Sequence, residues 1–176
     1  MSSIHIRPET DSDVDGIRQV NIEAFRSHPI SRQTEHLIVE ALRNSDALEV
    51  SLVAVSEGRV VGHIALSKAC VGEATSGWLL LGPLAVLPDL QGQGIGSALV
   101  ESALAKLRAM SAEGCVLVGD PAYYRRFGFG SCPGLTHAGV PDEYVLALSF
   151  TDAMPRGRIS ANEAFEVGPE TGAARV

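Results

Sequence analysis

The fold is constrained most by a strand-length apolar run that is followed at once by a glycine-rich loop and a helical repeat. The run extends from Leu79 to Leu87, and its Leu and Val residues are typical of a strand buried on both faces. Pro88 and Asp89 end the strand because both are turn residues. From Ile95 onward apolar residues recur every four positions, which predicts an amphipathic helix. We therefore expect this helix to pack against a sheet.

The loop between the strand and the helix has the composition of an anion site. It reads Gln-Gly-Gln-Gly-Ile-Gly from Gln91 to Gly96. The first backbone N–H groups of a helix lack partners and carry partial positive charge, and glycines let a bulky anion approach the main chain. The Lys of a P-loop is absent after Gly96, and the last glycine of a dinucleotide fingerprint is displaced. An anion-binding loop and a glycine turn kept for packing both remain open.

A motif narrows the choice of anion. Gln91, Gly94 and Gly96 match Gln/Arg-x-x-Gly-x-Gly/Ala directly after an apolar strand. This resembles the GCN5-related N-acetyltransferases (GNAT), in which the loop grips the pyrophosphate of acetyl-CoA. The resemblance implies acetyl-CoA as co-substrate and direct acetyl transfer without a metal. It implies a cofactor-binding loop formed by Gln91, Gly92, Gln93, Gly94, Ile95, Gly96 and Ser97.

A second motif carries a candidate catalytic residue. Tyr124, Gly128 and Phe129 match the Tyr-x-x-x-Gly-Phe of the same family, after another apolar run. The resemblance assigns Tyr124 the role of general acid. The chemistry requires such a group, because the departing CoA thiolate must be protonated or stabilised and a phenol can donate that proton. Tyr123 falls where the family has an apolar residue, and we interpret it as a core aromatic.

The central strand contains an interruption. Gly82-Pro83 predicts a bulge or a splay, because proline cannot donate a hydrogen bond to a sheet ladder. The resemblance implies that this fourth strand diverges from the fifth, Cys115 to Gly119, and leaves a V-shaped gap. Pantetheine would enter the gap and pair with exposed main-chain groups, as an added strand does. That backbone belongs to Leu84, Ala85 and Val86.

The resemblance also predicts the fold. It covers residues 4–150, and phrases such as Leu-Gly-Pro-Leu-Ala-Val-Leu-Pro look like the YhbS-like branch of the superfamily. It implies an α/β fold whose mixed sheet, of about six or seven strands, has helices on both faces and splays between strands 4 and 5. Residues 1–150 are expected to form the N-acetyltransferase domain. Residues 151–176 would be a C-terminal extension with an extra strand within Arg158 to Phe165 and a frayed tail.

Other polar residues receive more modest interpretations. His63 lies on a strand predicted over Val60 to Ser67, and it is expected to be structural. Arg125 and Arg126 could meet the phosphates of CoA, but surface charges on a helix are the commoner case, and we interpret them as such. A turn-rich connector is predicted over Gly72 to Gly77. In the resembling enzymes the region between the first two helices helps to form the acceptor site; its polar residues here, each expected to be solvated, are His28, Arg32, Glu35 and His36.

Two departures from the family pattern concern the chemistry. Asp120-Pro121 stands where many members have Asn before the tyrosine helix, which puts that polar contact in doubt. The central strand also lacks the Glu that some members use, through water, as general base. Deprotonation of the acceptor would then fall to another residue, to a water chain or to solvent.

Composition narrows the partners and the compartment. The formal charge of −7 over 176 residues argues against nonspecific nucleic-acid binding. No apolar run is long enough to span a membrane, the amino terminus lacks a signal-peptide core, and three cysteines without C-x-x-C spacing favour the cytoplasm. We expect transfer of acetyl from acetyl-CoA to a primary amine of a small molecule or peptide, by a chain that could form a homodimer. The alternatives are a non-catalytic acyl-CoA-binding module on the same fold and a Rossmann-like nucleotide site.

Overall fold

Nine strands form one sheet in residues 2–168, which are the residues that this computed structural model describes. The strands are β1 (His5–Pro8), β2 (Leu48–Ser56), β3 (Arg59–Val71), β4 (Ala74–Val86), β5 (Gly114–Val118), β6 (Gly130–Ser131), β7 (Leu135–Thr136), β8 (Val145–Ser149) and β9 (Gly157–Ser160). The helices are α1 (Val14–Phe25), α2 (Glu35–Asn44), α3 (Ile95–Ala109) and α4 (Pro121–Tyr124). None of the helices in the described range is long and apolar enough to cross a membrane.

The sheet is mixed, as predicted. Its order is β1-β2-β3-β4-β5-β8-β6, and β9 pairs with β3 and β7. Neighbours along this order are antiparallel except β4 and β5, which are parallel. The sheet has more strands than predicted because β6, β7 and β9 are only two to four residues long. Strands this short carry no alternation pattern, so their pairing alone defines them.

Helices cover both faces of the sheet, which confirms the predicted layering. The apolar stripe of α3 lies on one face, where Leu99, Val100 and Leu107 are completely buried against β2, β3 and β4. On the opposite face Ile17 of α1 and Val39 of α2 pack on Val53 and Ala65. Both helices therefore bury an apolar face against the sheet.

The β3–β4 hairpin is longer than the sequence indicated. We predicted a connector over Gly72 to Gly77, but β3 continues to Val71 and β4 begins at Ala74, and these two residues are paired. Gly72 takes a left-handed conformation (φ +58°), which closes the turn. The prediction was wrong because the buried side chains of Val71 and Trp78 pack in a cluster built from distant segments of the chain.

The predicted bulge and splay are both present in the central strand. Ile64 and Leu66 of β3 pair with Leu84 and Leu81, so that β4 has one extra residue at the Gly82–Pro83 peptide, which is cis. The parallel ladder between β4 and β5 joins only three pairs, from Trp78–Gly114 to Leu80–Val116. The six residues of β4 that follow Leu80 have no strand partner on that edge, although β4 continues to Val86. A V-shaped gap therefore opens beyond Leu80.

The segment after residue 150 packs against the same sheet. Its strand β9 lies at Gly157–Ser160, at the start of the range predicted for an extra strand, and a 3₁₀ turn follows at Glu163–Glu166. Ile159 is buried against β3, and Ala164 contacts the α2 residues Ile38 and Leu42. The tail predicted to be frayed begins at Gly168, and from residue 169 onward it lies outside the described residues.

Candidate active site

The glycine loop leads directly into the N-terminus of α3. Gly94 is the N-cap of α3 in a left-handed conformation (φ +88°), and Gly92 is left-handed as well (φ +74°). Only glycine adopts such angles without strain, so both residues are explained by backbone geometry. The Gln91 amide donates a hydrogen bond to the Val86 carbonyl oxygen at 3.1 Å, which ties the loop to the end of β4. The exposed loop thus presents backbone N–H groups beside the open edge of the central strand.

A cavity of about 390 Å³ lies between this loop, the end of β4 and α4. Its walls are Leu84, Val86, Leu90, Gln91, Gly92, Gly94, Ile95, Gly96, Ser97, Tyr123 and Arg126. Two residues that the resemblance implied for cofactor binding do not line it. The Ala85 side chain is buried beside His63 on the α1 face of the sheet, and the Gln93 amide folds back on the Asp89 carbonyl at 3.4 Å.

The residues next to helix α4 explain where the helix begins and where the turn after it ends. The Asp120 carboxylate accepts a hydrogen bond from the Ala122 N–H at 2.9 Å, and Pro121 occupies the first helical position. Gly128, with φ +98°, ends the following 3₁₀ turn. The Asp-Pro pair that departs from the family pattern therefore acts as a helix cap, and it sets the direction of the two tyrosines that follow.

Tyr124 lies at the β5 side of the gap. Its ring touches Gly119, the residue after β5, so closely that a Cβ there would be 2.6 Å from the ring. The rings of Tyr123 and Phe129 flank it, with centroids at 4.9 and 6.0 Å. Burial raises the pKa of Tyr124, and nearby Tyr123 and Cys115 raise it further, so the phenol stays protonated at neutral pH. Its hydroxyl forms no hydrogen bond with any residue in the described range.

Tyr123 belongs to the cavity wall, whereas the sequence indicated a core aromatic. The hydroxyl reaches α3, where a Cβ at Gly96 would lie 2.9 Å from the Tyr123 Oη. Gly96 has an ordinary helical backbone, so this contact and not its φ explains the glycine. The sequence offered no signal for this place of Tyr123, because Arg126, one helical turn later, was itself interpreted as a surface charge.

Arg126 also lines the cavity, although the sequence indicated a surface charge. Its guanidinium carbon lies 4.4 Å from the centroid of the Tyr123 ring, and its Nε donates a hydrogen bond to the Tyr123 carbonyl oxygen at 2.8 Å. Arg125 does not line the cavity and is exposed, as expected. The two neighbouring arginines therefore have different surroundings.

His63 is structural, as the sequence indicated. It is completely buried, and its ring nitrogens lie 3.3 Å from the Asn21 amide nitrogen and 2.8 Å from the Ser51 hydroxyl. Burial lowers the pKa of His63 to about 4, so it is neutral near pH 7. Ser51 hydrogen-bonds to Glu9, which Arg43 of α2 holds by two hydrogen bonds. This chain links α1, β3, β2 and α2.

The residues between α1 and α2 lie apart from the cavity at the glycine loop. The Glu35 carboxylate accepts a hydrogen bond from the Ser31 hydroxyl, and the His28 ring packs beside Phe25 at 5.7 Å. Ile30, in the same connection, is 84% exposed. None of His28, Arg32, Glu35 and His36 lines that cavity. Within residues 2–168, no group of three or more His, Cys, Asp or Glu side chains is arranged to hold a metal ion.

The fold and the site belong to one known family. A model of the acetyltransferase (GNAT) domain matches residues 47–130. The uncharacterized N-acetyltransferase YjhQ of Escherichia coli (strain K12) is 36% identical over 138 residues, which are 77% of this chain and 73% of YjhQ. The chain therefore belongs to the GNAT acetyltransferases, and the prediction of an acyltransferase is confirmed.

Two solved structures support the same assignment. A GNAT family acetyltransferase from Brucella melitensis, in complex with acetyl-CoA, has a TM-score of 0.83 and 46% identity, and the match covers 93% of this chain and 98% of that one. YhbS from Escherichia coli, in complex with CoA, has a TM-score of 0.86 and 28% identity, over 95% and 94% of the two chains. The likeness to YhbS confirms the branch that the sequence motifs indicated.

Proposed function

We propose that this protein transfers the acetyl group of acetyl-CoA directly to a primary amine of a small molecule or a peptide. The observation that carries the proposal is the cavity in which the glycine loop at the start of α3 meets the unpaired edge of β4. The two solved relatives contain acetyl-CoA and CoA, which supports this cofactor here.

The diphosphate would lie at the glycine loop. The N–H groups of Gly94, Ile95 and Gly96 open α3, where partial positive charge favours an anion. The Ser97 hydroxyl lines the same cavity and can donate one further hydrogen bond. Ile95 contributes only its backbone, because its side chain is buried under the sheet.

The pantetheine arm would extend from this cavity along β4. Leu84, Ala85 and Val86 lie beyond the last pair of the β4–β5 ladder, so no strand covers their edge. The Val86 carbonyl oxygen already accepts the Gln91 amide, which leaves the other main-chain groups of this edge for an added partner. Main-chain pairing with the amides of pantetheine would then substitute for the missing strand. The thioester would reach the closed end of the gap, near Leu80 and Val116.

Tyr124 would act on the leaving group. The neutral amine attacks the thioester carbonyl carbon, the C–N bond forms and the C–S bond breaks, and the thiolate takes a proton from the Tyr124 hydroxyl. The nitrogen loses one proton as the amide forms, and that proton passes through solvent and restores the phenol. Three observations support this role: the raised pKa keeps the phenol protonated, its hydroxyl is unpartnered among the described residues, and Cys115 at the closed end of the gap is its neighbour. Strand β4 contains no Asp, Glu or His, so it supplies no base and the acceptor must lose its proton elsewhere.

Binding and turnover test the proposal separately. Acetyl-CoA should raise the unfolding midpoint, whereas NAD and ATP should not, because only a ligand of the folded state stabilises it. Amines that release free thiol from acetyl-CoA would then identify the acceptor class. Failure of millimolar acetyl-CoA to raise the midpoint would refute the cofactor assignment.

The Tyr124→Phe variant separates an enzyme from a binding module. We expect kcat to fall by roughly 10²-fold or more, with unchanged CoA affinity, because only the proton donor is lost. Tyr144→Phe is the matched control, since Tyr144 is exposed and lies outside the cavity wall. Unchanged turnover in Tyr124→Phe would contradict the general-acid role, and absence of turnover in the wild type with every amine would favour the non-catalytic module.

A further inference from the structure

The glycine loop of this chain carries no positive charge. Residues 91–97 contain no Lys, Arg or His, and the first motif position, where Arg also occurs in the family pattern, is Gln91. The N-terminus of α3 therefore offers a diphosphate, which carries full negative charges, only neutral hydrogen-bond donors and the partial charge of the helix dipole. A cation from outside the loop would strengthen binding, since hydrogen bonds between ionised groups are about twice as strong as neutral ones.

Among the described residues that line the cavity, Arg126 is the only cationic one. It is exposed, and its Nε is occupied by the Tyr123 carbonyl, which leaves the two terminal nitrogens free to donate. The Tyr123 ring supports the guanidinium from one side, with 4.4 Å between the Cζ atom and the ring centroid. The guanidinium is therefore oriented before a ligand arrives, so less entropy is lost on binding.

We propose that Arg126 binds the diphosphate of CoA and makes the site selective for carriers that have a diphosphate. The inference rests on the proposed function, because it assumes that CoA occupies this cavity. Gly92, Gly94 and Ser97 line the same cavity as Arg126, so the phosphate it meets is the one at the glycine loop. The 3′-phosphate on the ribose of CoA is a different group, and the proposal excludes it as the partner.

The chain supplies its own control in Arg125. This residue has the same charge and is also exposed, but it does not line the cavity. A general electrostatic attraction for CoA would depend equally on both arginines. If a specific contact inside the cavity binds CoA, the affinity should depend on Arg126 and not on Arg125.

The test compares Arg126→Gln, Arg126→Lys and Arg125→Gln with the wild type by calorimetric titration of CoA and of dephospho-CoA, which lacks the 3′-phosphate. We expect Arg126→Gln to weaken both ligands by the same factor, about tenfold or more. Arg126→Lys should lose less, because the charge is kept while the planar fork is lost. Arg125→Gln should stay within about twofold of the wild type. Equal unfolding midpoints without ligand would show that the variants are folded.

Three results would overturn the inference. They are unchanged CoA affinity in Arg126→Gln, a loss for CoA but not for dephospho-CoA, and an equal loss in Arg125→Gln. A wild type that binds neither CoA nor dephospho-CoA would refute the proposed function, and the inference with it. Binding by the wild type that Arg126→Gln leaves unchanged refutes the inference alone.

Discussion

Gly96→Ala tests whether Tyr123 shapes the cavity at the glycine loop. The new Cβ would lie 2.9 Å from the Tyr123 Oη, about 0.5 Å short of the 3.4 Å at which ordinary contact begins. The Tyr123 side chain must move, and a shift off its rotamer costs roughly 0.5–1.5 kcal/mol. Gly96 is the second residue of α3, and replacing a helical glycine with alanine offsets this cost by at most about 0.5–1 kcal/mol. The free energy of unfolding should therefore change by less than about 1 kcal/mol, while the cavity wall is displaced.

Ligand binding should respond more strongly than stability. Arg126 is stacked on the Tyr123 ring and hydrogen-bonded to its carbonyl, so displacing the ring also displaces the guanidinium. We expect Gly96→Ala to weaken CoA binding by several-fold, measured by calorimetry, with an unfolding midpoint within a few degrees of the wild type.

A double-mutant cycle isolates the cause. Tyr123→Phe removes the hydroxyl that the new Cβ would meet, so the double variant should recover most of the lost affinity. Tyr123→Phe alone should bind CoA nearly as well as the wild type, because the ring that supports Arg126 remains. The reasoning is refuted if Gly96→Ala binds CoA normally, or if its loss persists in the double variant, since the Cβ would then act on the ligand directly.

Two further predictions concern stability. His63 has a pKa of about 4 in the fold against about 6.5 unfolded, so the unfolded chain binds more protons between these values and stability falls as the pH drops from about 6.5 to about 4. The urea unfolding midpoint of His63→Gln should be lower than that of the wild type at neutral pH, and it should change less with pH between about 6.5 and about 4. A pH dependence parallel to that of the wild type would contradict this. In Gly72→Ala, the Cβ would lie 2.3 Å from the Arg156 carbonyl oxygen at φ +58°, and we expect a loss of about 1–3 kcal/mol. Gly58→Ala has a similar φ of +76° in open space, so an equal loss there would show that the Arg156 contact is unimportant.

Local features of this protein could be read from the sequence because neighbouring residues create them. The start of α3 at Gly94 and the helix cap at Asp120 each depend on the backbone of a few consecutive residues. The bulge at Gly82–Pro83 was predictable for the same reason, since proline removes a ladder donor wherever the strand lies. Short-range chemistry of this kind led to the family and to the layered α/β fold.

Features that join distant segments could not be read in this way. Tyr123 and Arg126 look like a core aromatic and a surface charge until α4 packs beside the start of α3, more than twenty residues earlier in the chain. The length of the β3–β4 hairpin and the place of β9 depend on a cluster that draws Val71, Trp78 and Ile159 together.

The glycine loop, the tyrosine motif, the broken central strand and the family could all be identified from sequence motifs. The side chains that share the cavity, and the length over which the two central strands remain paired, could be learned only from the folded protein. This difference follows from the range of the forces. Backbone angles and missing donors act within a few residues, whereas burial and side-chain contact depend on segments that meet only when the sheet and its helices have formed.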